Sequence, residues 1–240
     1  MSNGSPTLYL FPSPLSEAPV SDVLPALNIE LIARIKHFVV ENVRPARRFL
    51  KACNRDINID LLTFYELNNH TDPAEIEAML KPMAEGADMG LISDAGCPAV
   101  ADPGAILVSL AHRKGFRVMP LVGPSSILLA LMASGFNGQH FAFNGYLPID
   151  SKQRADTLRR LHYDAVRNRC THIFIETPYR NNRMIADIIA ALPPSAMLCV
   201  AADVTGPGQS VVSLPVARWK LRSFNYDKIP AIFLIYDQNA

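Results

Sequence analysis

The 240-residue sequence contains no CxxC pair, no clustered Cys/His set and no HExxH. Cys53, Cys97, Cys170 and Cys199 are scattered, as are the six histidines. No metal site is therefore expected, and a core this large needs no disulfides. No GxGxxG opens the first helix and no GxxxxGK[ST] occurs, which disfavours ordinary dinucleotide and P-loop sites. A dominant charge is missing too. The net charge is +1, so the whole molecule has no strong pull toward nucleic acid or membrane. Long apolar runs are also absent. Val118 to Gln139 carries no charge, but its unbroken apolar run is only Ile127 to Ala133, and Pro120, Gly123, Pro124, Gly135 and Gly138 punctuate the stretch. A buried helix after a turn explains it better than a membrane span. The start, MSNGSPTLYLFPSPL, has neither a basic opening nor a signal-type apolar core with a cleavage site. A soluble, cytoplasmic protein is expected, without internal repeats or low-complexity tracts.

What is present is an alternation of short apolar runs and longer amphipathic ones. Strands are expected at 7–11, 37–40, 61–66, 89–92 and 117–122, then at 140–148, 171–175, 197–201, 209–214 and 231–236. Helices are expected within 21–35, at 44–52, from Asp72-Pro73 to Glu85, at 105–114, after Ser126, at 151–169 and at 181–192. The last two strands need no helix between them, which predicts a mixed second sheet. The pattern is α/β, with two domains over 1–120 and 121–240.

The segment LISDAGCPAVADPGA, residues 91–105, holds two Asp, two Gly and two Pro at the end of an apolar strand. Ligands of open α/β sheets sit beyond the carboxyl ends of strands, and small residues let them approach the main chain. Spacing alone leaves two explanations open: a ligand loop, or a tight turn whose aspartates cap helices. Gly123-Pro124-Ser125-Ser126 repeats the logic at another strand end, and there too a serine cap is an alternative. The helix at 151–169 carries Lys152, Arg154, Arg159, Arg160, Arg167 and Arg169 against Asp156 and Asp164. Such a stripe suits RNA phosphates, or is a solvated face.

These residues resemble a known family. Ser93-Asp94-Ala95-Gly96-Cys97-Pro98 followed by Asp102-Pro103-Gly104 is similar to the SDAGTP…DPG signature of the tetrapyrrole (corrin/porphyrin) methylases. The branch it resembles most is the 16S rRNA small-subunit methyltransferase I branch, which methylates a cytidine ribose 2′-oxygen. Pro120 to Ser126 resembles PLPGPSA. Phe143 to Pro148, with Lys152 and Arg154, resembles F-x-G-F-L-P…K…R. Phe174 to Arg180 resembles FYE-x-P-x-R, and Glu41-Asn42-Val43-Arg44 resembles E-D-T-R. The match runs in order along nearly the whole chain.

The resemblance implies a two-domain class III S-adenosylmethionine-dependent methyltransferase fold, a homodimer, and the cofactor in a cleft between the domains. By matched position it assigns Ser93, Asp94, Ala95, Gly96, Cys97, Val100, Ser125, Ser126, Thr177 and Val204 to the cofactor. Glu41 and Glu176 become candidate bases, with Arg44 and Arg180 orienting substrate. Lys152, Arg154, Arg159 and Arg160 become RNA contacts, with 16S rRNA or the small ribosomal subunit as partner and no metal. A methylase of a small tetrapyrrole-like ring and a non-catalytic cofactor-binding or dimeric scaffold are the alternatives. The departures bear on that choice. The family's TPIGN-like first loop is Ser13-Pro14-Leu15-Ser16-Glu17 here, its E-L-T-K is Asp203-Val204-Thr205-Gly206, and the aspartate after Glu41 is Asn42. The C-terminal extension of some members is absent.

Overall fold

A computed structural model describes residues 5–68 and 70–237. The chain forms two compact units that divide between Ser125 and Ser126.

The first unit is built on β1 (Thr7–Phe11), β2 (His37–Val40), β3 (Thr63–Glu66), β4 (Met89–Ile92) and β5 (Arg117–Pro120), all parallel in the order β3-β2-β4-β1-β5. Its inner strands are apolar on both sides because both faces are covered. Leu8, Leu10, Val39, Met89 and Leu91 point to one face. Phe11, Phe38, Val40 and Ile92 point to the other. This is the period-two alternation of a strand. α1 (Val20–Val23), α2 (Ala26–Ile32) and α3 (Val43–Cys53) contribute to the second cluster. α4 (Pro73–Met79), α5 (Lys81–Ala84) and α6 (Gly104–Arg113) contribute to the first. The helix expected over 72–85 is thus two helices. Pro82 has no N–H to continue the ladder, so Leu80 turns and Pro82 sits in the first turn of α5. Gly90 lies in mid-strand because a Cβ there would meet Phe38 Cδ1 at 2.6 Å.

The chain walks β1-β2-β3 with α1–α3 on one face, then returns through β4 to β5 with α4–α6 on the other. The loops after neighbouring β1 and β4 therefore leave in opposite directions. That divergence is the topological switch point of the sheet.

The second unit opens with α7 (Ser126–Ser134) and has β6 (Phe141–Tyr146), β7 (Thr171–Ile175), β8 (Met197–Ala202), β9 (Ser210–Pro215) and β10 (Ala231–Tyr236). Their order is β6-β7-β10-β8-β9, with β6 and β7 parallel and the other pairs antiparallel, so the sheet is mixed as expected. α8 (Ser151–Asn168), α9 (Asn181–Ala191) and α10 (Val216–Trp219) share a core with Phe174, Leu198, Val200 and Phe233. The four-residue α10 lies between β9 and β10, where no helix was expected. α7 buries Ala130, Leu131 and Ser134 but leaves Leu128 and Met132 exposed, so it is only partly the buried helix expected. No helix of the described residues is long and apolar enough to cross a membrane.

Candidate active site

The switch point of the first unit is tied by main-chain bonds. Ser13, just after β1, donates its N–H to Gly96 O at 3.0 Å, and Gly96 N–H returns to Ser13 O at 3.1 Å. Ser13 Oγ also donates to Ser93 O at 2.7 Å, and both serines are buried. The glycine-free first loop is thus locked onto the 93–104 loop. Gly96 sits at φ +76°, where a side chain is strained, and a Cβ would also lie 3.0 Å from Leu15 Cδ2. Ala99 (φ 64°) and Ala101 (φ 58°) adopt the same left-handed region, which costs about 1–3 kcal/mol for each non-glycine residue. Asp102 holds this shape by accepting from Ala99 N–H at 2.8 Å and Gly104 N–H at 2.7 Å. It therefore caps, as one of the two explanations of the segment required. The strain it supports leaves Asp94, Ala95 and Val100 exposed. Cys97 donates to Pro124 O at 3.5 Å, joining this loop to 123–125, and burial raises its thiol pKa. Cys97 is therefore a protonated packing group rather than a nucleophile.

Glu41 follows β2 at the same edge. Its pKa is raised by burial first, then by the charges of Asp102 and Asp94, against a lowering bond from the Asp94 main chain. Asp94 and Asp102 are raised as well, chiefly by burial. Three carboxyl groups with elevated proton affinity thus meet at one strand edge. Asn42 keeps the helix-capping role, its side chain accepting from Arg44 N–H at 3.1 Å. The Arg44 side chain is exposed, and no ion pair to Glu41 occurs among the described residues.

In the second unit, Glu176 is buried at the end of β7. Its Oε1 accepts from Thr177 N–H at 2.6 Å, Arg180 Nε at 3.0 Å and a terminal Arg180 nitrogen at 2.7 Å. Glu176 and Arg180 line a cavity of ≈ 400 Å³ with Ile149, Asp150, Ser151, Arg154, Arg183 and Met184. Val204 is buried in a self-closed turn. There Asp203 accepts from Gly206 N–H through its carbonyl and from Gly208 N–H through Oδ2, each at 2.8 Å. Ser125 and Ser126 are partly exposed, one ending the first unit and the other opening α7.

The basic helix requires a correction. Arg154 is not on its outer face. It is 6% exposed and shares a stripe with Leu158, Leu161 and Ala165, the buried positions of α8. Its Nε and one terminal nitrogen bond Asp187 Oδ2, and the other terminal nitrogen bonds Pro148 O and Ile149 O. Four of its five N–H donors are committed inside the unit. The spacing 154, 158, 161, 165 carried this signal in the sequence. Lys152, Arg159 and Arg160 are exposed.

Scattered histidines and cysteines are brought together at one place. Asp164, Cys170 and His172 offer ligand atoms within 4.8 Å of one another. Asn144 faces His172 Nδ1 through its amide nitrogen at 3.3 Å, and the same nitrogen bonds two carbonyls. As an acceptor at Nδ1, the neutral ring carries its proton on Nε2 and gives it to Asp164 Oδ2 at 2.8 Å. The hydrogen-bond chain thus runs Asn144–His172–Asp164, while the Cys170 thiol turns to Thr171 O at 3.8 Å.

No protein-family model matches the chain. Among curated relatives, the ribosomal RNA small subunit methyltransferase I of Vibrio cholerae serotype O1 is 30% identical over 237 residues, covering 98% of this chain and 78% of that protein. The chain belongs to the ribosomal RNA small subunit methyltransferase I family. It is a methyltransferase. Solved structures give the class III tetrapyrrole methylase fold. The methyltransferase CobJ matches with a TM-score of 0.64 at 17% identity, covering 98% of this chain and 95% of that one. The uroporphyrin-III C-methyltransferase of Thermus thermophilus, complexed with S-adenosylhomocysteine, matches with a TM-score of 0.55 at 15% identity, covering 96% and 97%. The family assignment and the strained 93–104 loop thus rest on different observations, one on sequence and one on backbone geometry.

Proposed function

We propose that the protein transfers the methyl group of S-adenosylmethionine to ribosomal RNA, at the ribose 2′-oxygen of a cytidine in 16S rRNA. The observation that carries this is the loop at the switch point: Gly96, Ala99 and Ala101 hold three left-handed dihedrals in six residues, two of them on non-glycine residues, beside the exposed Asp94, Ala95 and Val100. Gly96 itself is buried, and a Cβ there would press on Leu15 Cδ2 at 3.0 Å. The chain therefore fits a nucleoside-type cofactor lying against Ser93, Asp94, Ala95, Gly96, Cys97 and Val100. Ser125, Ser126, Thr177 and Val204 take the same role by matched position.

When bound, S-adenosylmethionine supplies an electrophilic methyl group on sulfur; the carbon–sulfur bond breaks as the oxygen–carbon bond forms. The protein's part is alignment and proton transfer. Glu41 receives the hydroxyl proton, because its raised proton affinity suits a general base. Arg44 is exposed to reach a phosphate, and the Glu176–Arg180 pair holds substrate. Lys152, Arg159 and Arg160 meet the RNA backbone. The same proposal includes a homodimer, for which exposed Leu128 and Met132 on α7 are the supporting feature, and the cytoplasm, where four free cysteines stay reduced.

Loss of the family's lysine at Gly206 and the remade first loop favour one competitor, a scaffold that binds cofactor without transfer. Calorimetry with S-adenosylhomocysteine, paired with transfer of a labelled methyl group to small ribosomal subunits, separates the two. Binding that Gly96→Trp abolishes, with label on the RNA, supports the enzyme. Binding without label selects the scaffold, and labelling of a tetrapyrrole ring instead of RNA selects the ring methylase.

A further inference from the structure

The ≈ 400 Å³ cavity of the second unit has a polarity that a simple phosphate site lacks. The Glu176 carboxylate lines it and is 97% withdrawn from solvent, its side chain being 3% exposed. The three bonds from Thr177 and Arg180 all fall on Oε1, so among the described residues Oε2 is the oxygen with acceptor capacity left for a ligand. A bare anion is repelled by that carboxylate, so the group reaching it has to donate. Beside it, the Arg180 guanidinium keeps N–H groups beyond those used on Glu176, so acceptor and donor stand side by side. That arrangement complements the pairing edge of a nucleobase, where an N–H and an acceptor are neighbours. At the rim, Arg183 has a side chain that is 67% exposed, and among the described residues only its Nε is tied, to Asp187 Oδ1 at 3.1 Å. Its terminal nitrogens remain for a phosphate. Ile149, 75% exposed, adds an apolar wall for the base face. The volume falls in the range of small-molecule pockets.

We propose that this cavity receives one unpaired nucleotide of the RNA substrate, with its base edge on the Glu176–Arg180 pair and its phosphate on Arg183. The proposal rests on the RNA assignment above. The test is calorimetry of the full chain with cytidine 5′-monophosphate, inorganic phosphate and S-adenosylhomocysteine. The nucleotide is expected to bind at least tenfold more tightly than phosphate, since a hydrogen bond to a charged group contributes about a factor of ten or more. Glu176→Gln, whose amide oxygen can still accept from Thr177 and Arg180, is expected to weaken the nucleotide about tenfold and to strengthen phosphate or leave it no weaker, as the repelling charge is gone. Ile149→Trp, at an exposed position that does not endanger folding, is expected to block the nucleotide.

Three results overturn the site: phosphate binding as tightly as the nucleotide, displacement of the nucleotide by S-adenosylhomocysteine, or nucleotide binding unaffected by Ile149→Trp. Methyl transfer to small ribosomal subunits is measured in parallel. Transfer without the nucleotide pattern sinks the site and keeps the RNA assignment. The nucleotide pattern without any transfer keeps the site and sinks the assignment.

Discussion

Replacing Arg154 by alanine distinguishes an internal anchor from an RNA contact. The side chains of Arg154 and Asp187 are 8% and 17% exposed, so this is a buried pair. Breaking such a pair by removing one partner costs about 3–5 kcal/mol, because the other charge is left behind. Two features place this case near the lower end. Asp187 keeps Arg183, and Pro148 and Ile149, whose carbonyls lose their donor, are half-buried and exposed residues rather than core ones. The expected loss is about 3 kcal/mol, on the order of 10 °C in Tm for a chain of this size. Thermal and denaturant unfolding measure it, with Arg159→Ala as the matched control. Among the described residues Arg159 pairs only with Asp156, and both side chains are more than half exposed, so its removal shifts stability by about 0.5 kcal/mol or less. Filter binding of small-subunit RNA completes the assay. Arg154→Ala with wild-type Tm and weakened RNA binding would refute the argument. The expected pattern is the reverse, with Arg159→Ala weakening RNA and sparing the fold.

If Glu41 is the general base proposed above, Glu41→Gln is expected to lower kcat for RNA methylation by about 10²–10⁴. In the wild type, activity is expected to fall with acid below the raised Glu41 pKa, above the ordinary carboxylate range, and a pH–rate profile reads this. The stability effect has the opposite sign. Carboxyl groups with raised folded pKa values bind more protons folded than unfolded, so stability falls as pH rises through that interval, and Glu41→Gln is expected to stabilise the fold at neutral pH in denaturant titrations. Gly104→Ala puts a Cβ 2.8 Å from Asp102 Oδ1 and 2.9 Å from Leu91 Cδ2, and is expected to cost about 1–3 kcal/mol in unfolding measurements and to weaken S-adenosylhomocysteine in calorimetry. Each of Lys152→Ala and Arg160→Ala is expected to reduce the salt slope of RNA affinity by about one, without altering sequence preference.

Strands were the legible part of the sequence. The runs 37–40, 89–92, 171–175 and 231–236 have the same bounds in the fold, because a buried strand needs an unbroken apolar run and little else competes. The 72–85 helix was misjudged where Pro82 outweighed a favourable apolar pattern. Charge counting misplaced Arg154, since a tally of cations ignores direction, whereas the period of α8 put that residue on the core stripe. The family motifs located the 93–104 loop, but nothing in its letters disclosed that two alanines would take left-handed dihedrals. Those depend on Asp102 folding back on the amides of 99 and 104. The Asp164–Cys170–His172 contact was equally invisible, for it joins the last turn of α8 to β7 across a left-handed Arg169.

The bridge between Ser13 and Gly96 also bears on how this chain drifted from its relatives. Its two rungs use peptide N–H and C=O groups, which every residue but proline can offer. The main-chain rungs themselves ask for no particular side chain from the first loop, so Ser13-Pro14-Leu15-Ser16-Glu17 can form them without a glycine, while Ser13 Oγ adds its own bond to Ser93 O and Gly96 supplies the left-handed backbone on the other side. The clasp between the β1 and β4 loops thus stands in this chain without a glycine in the first loop.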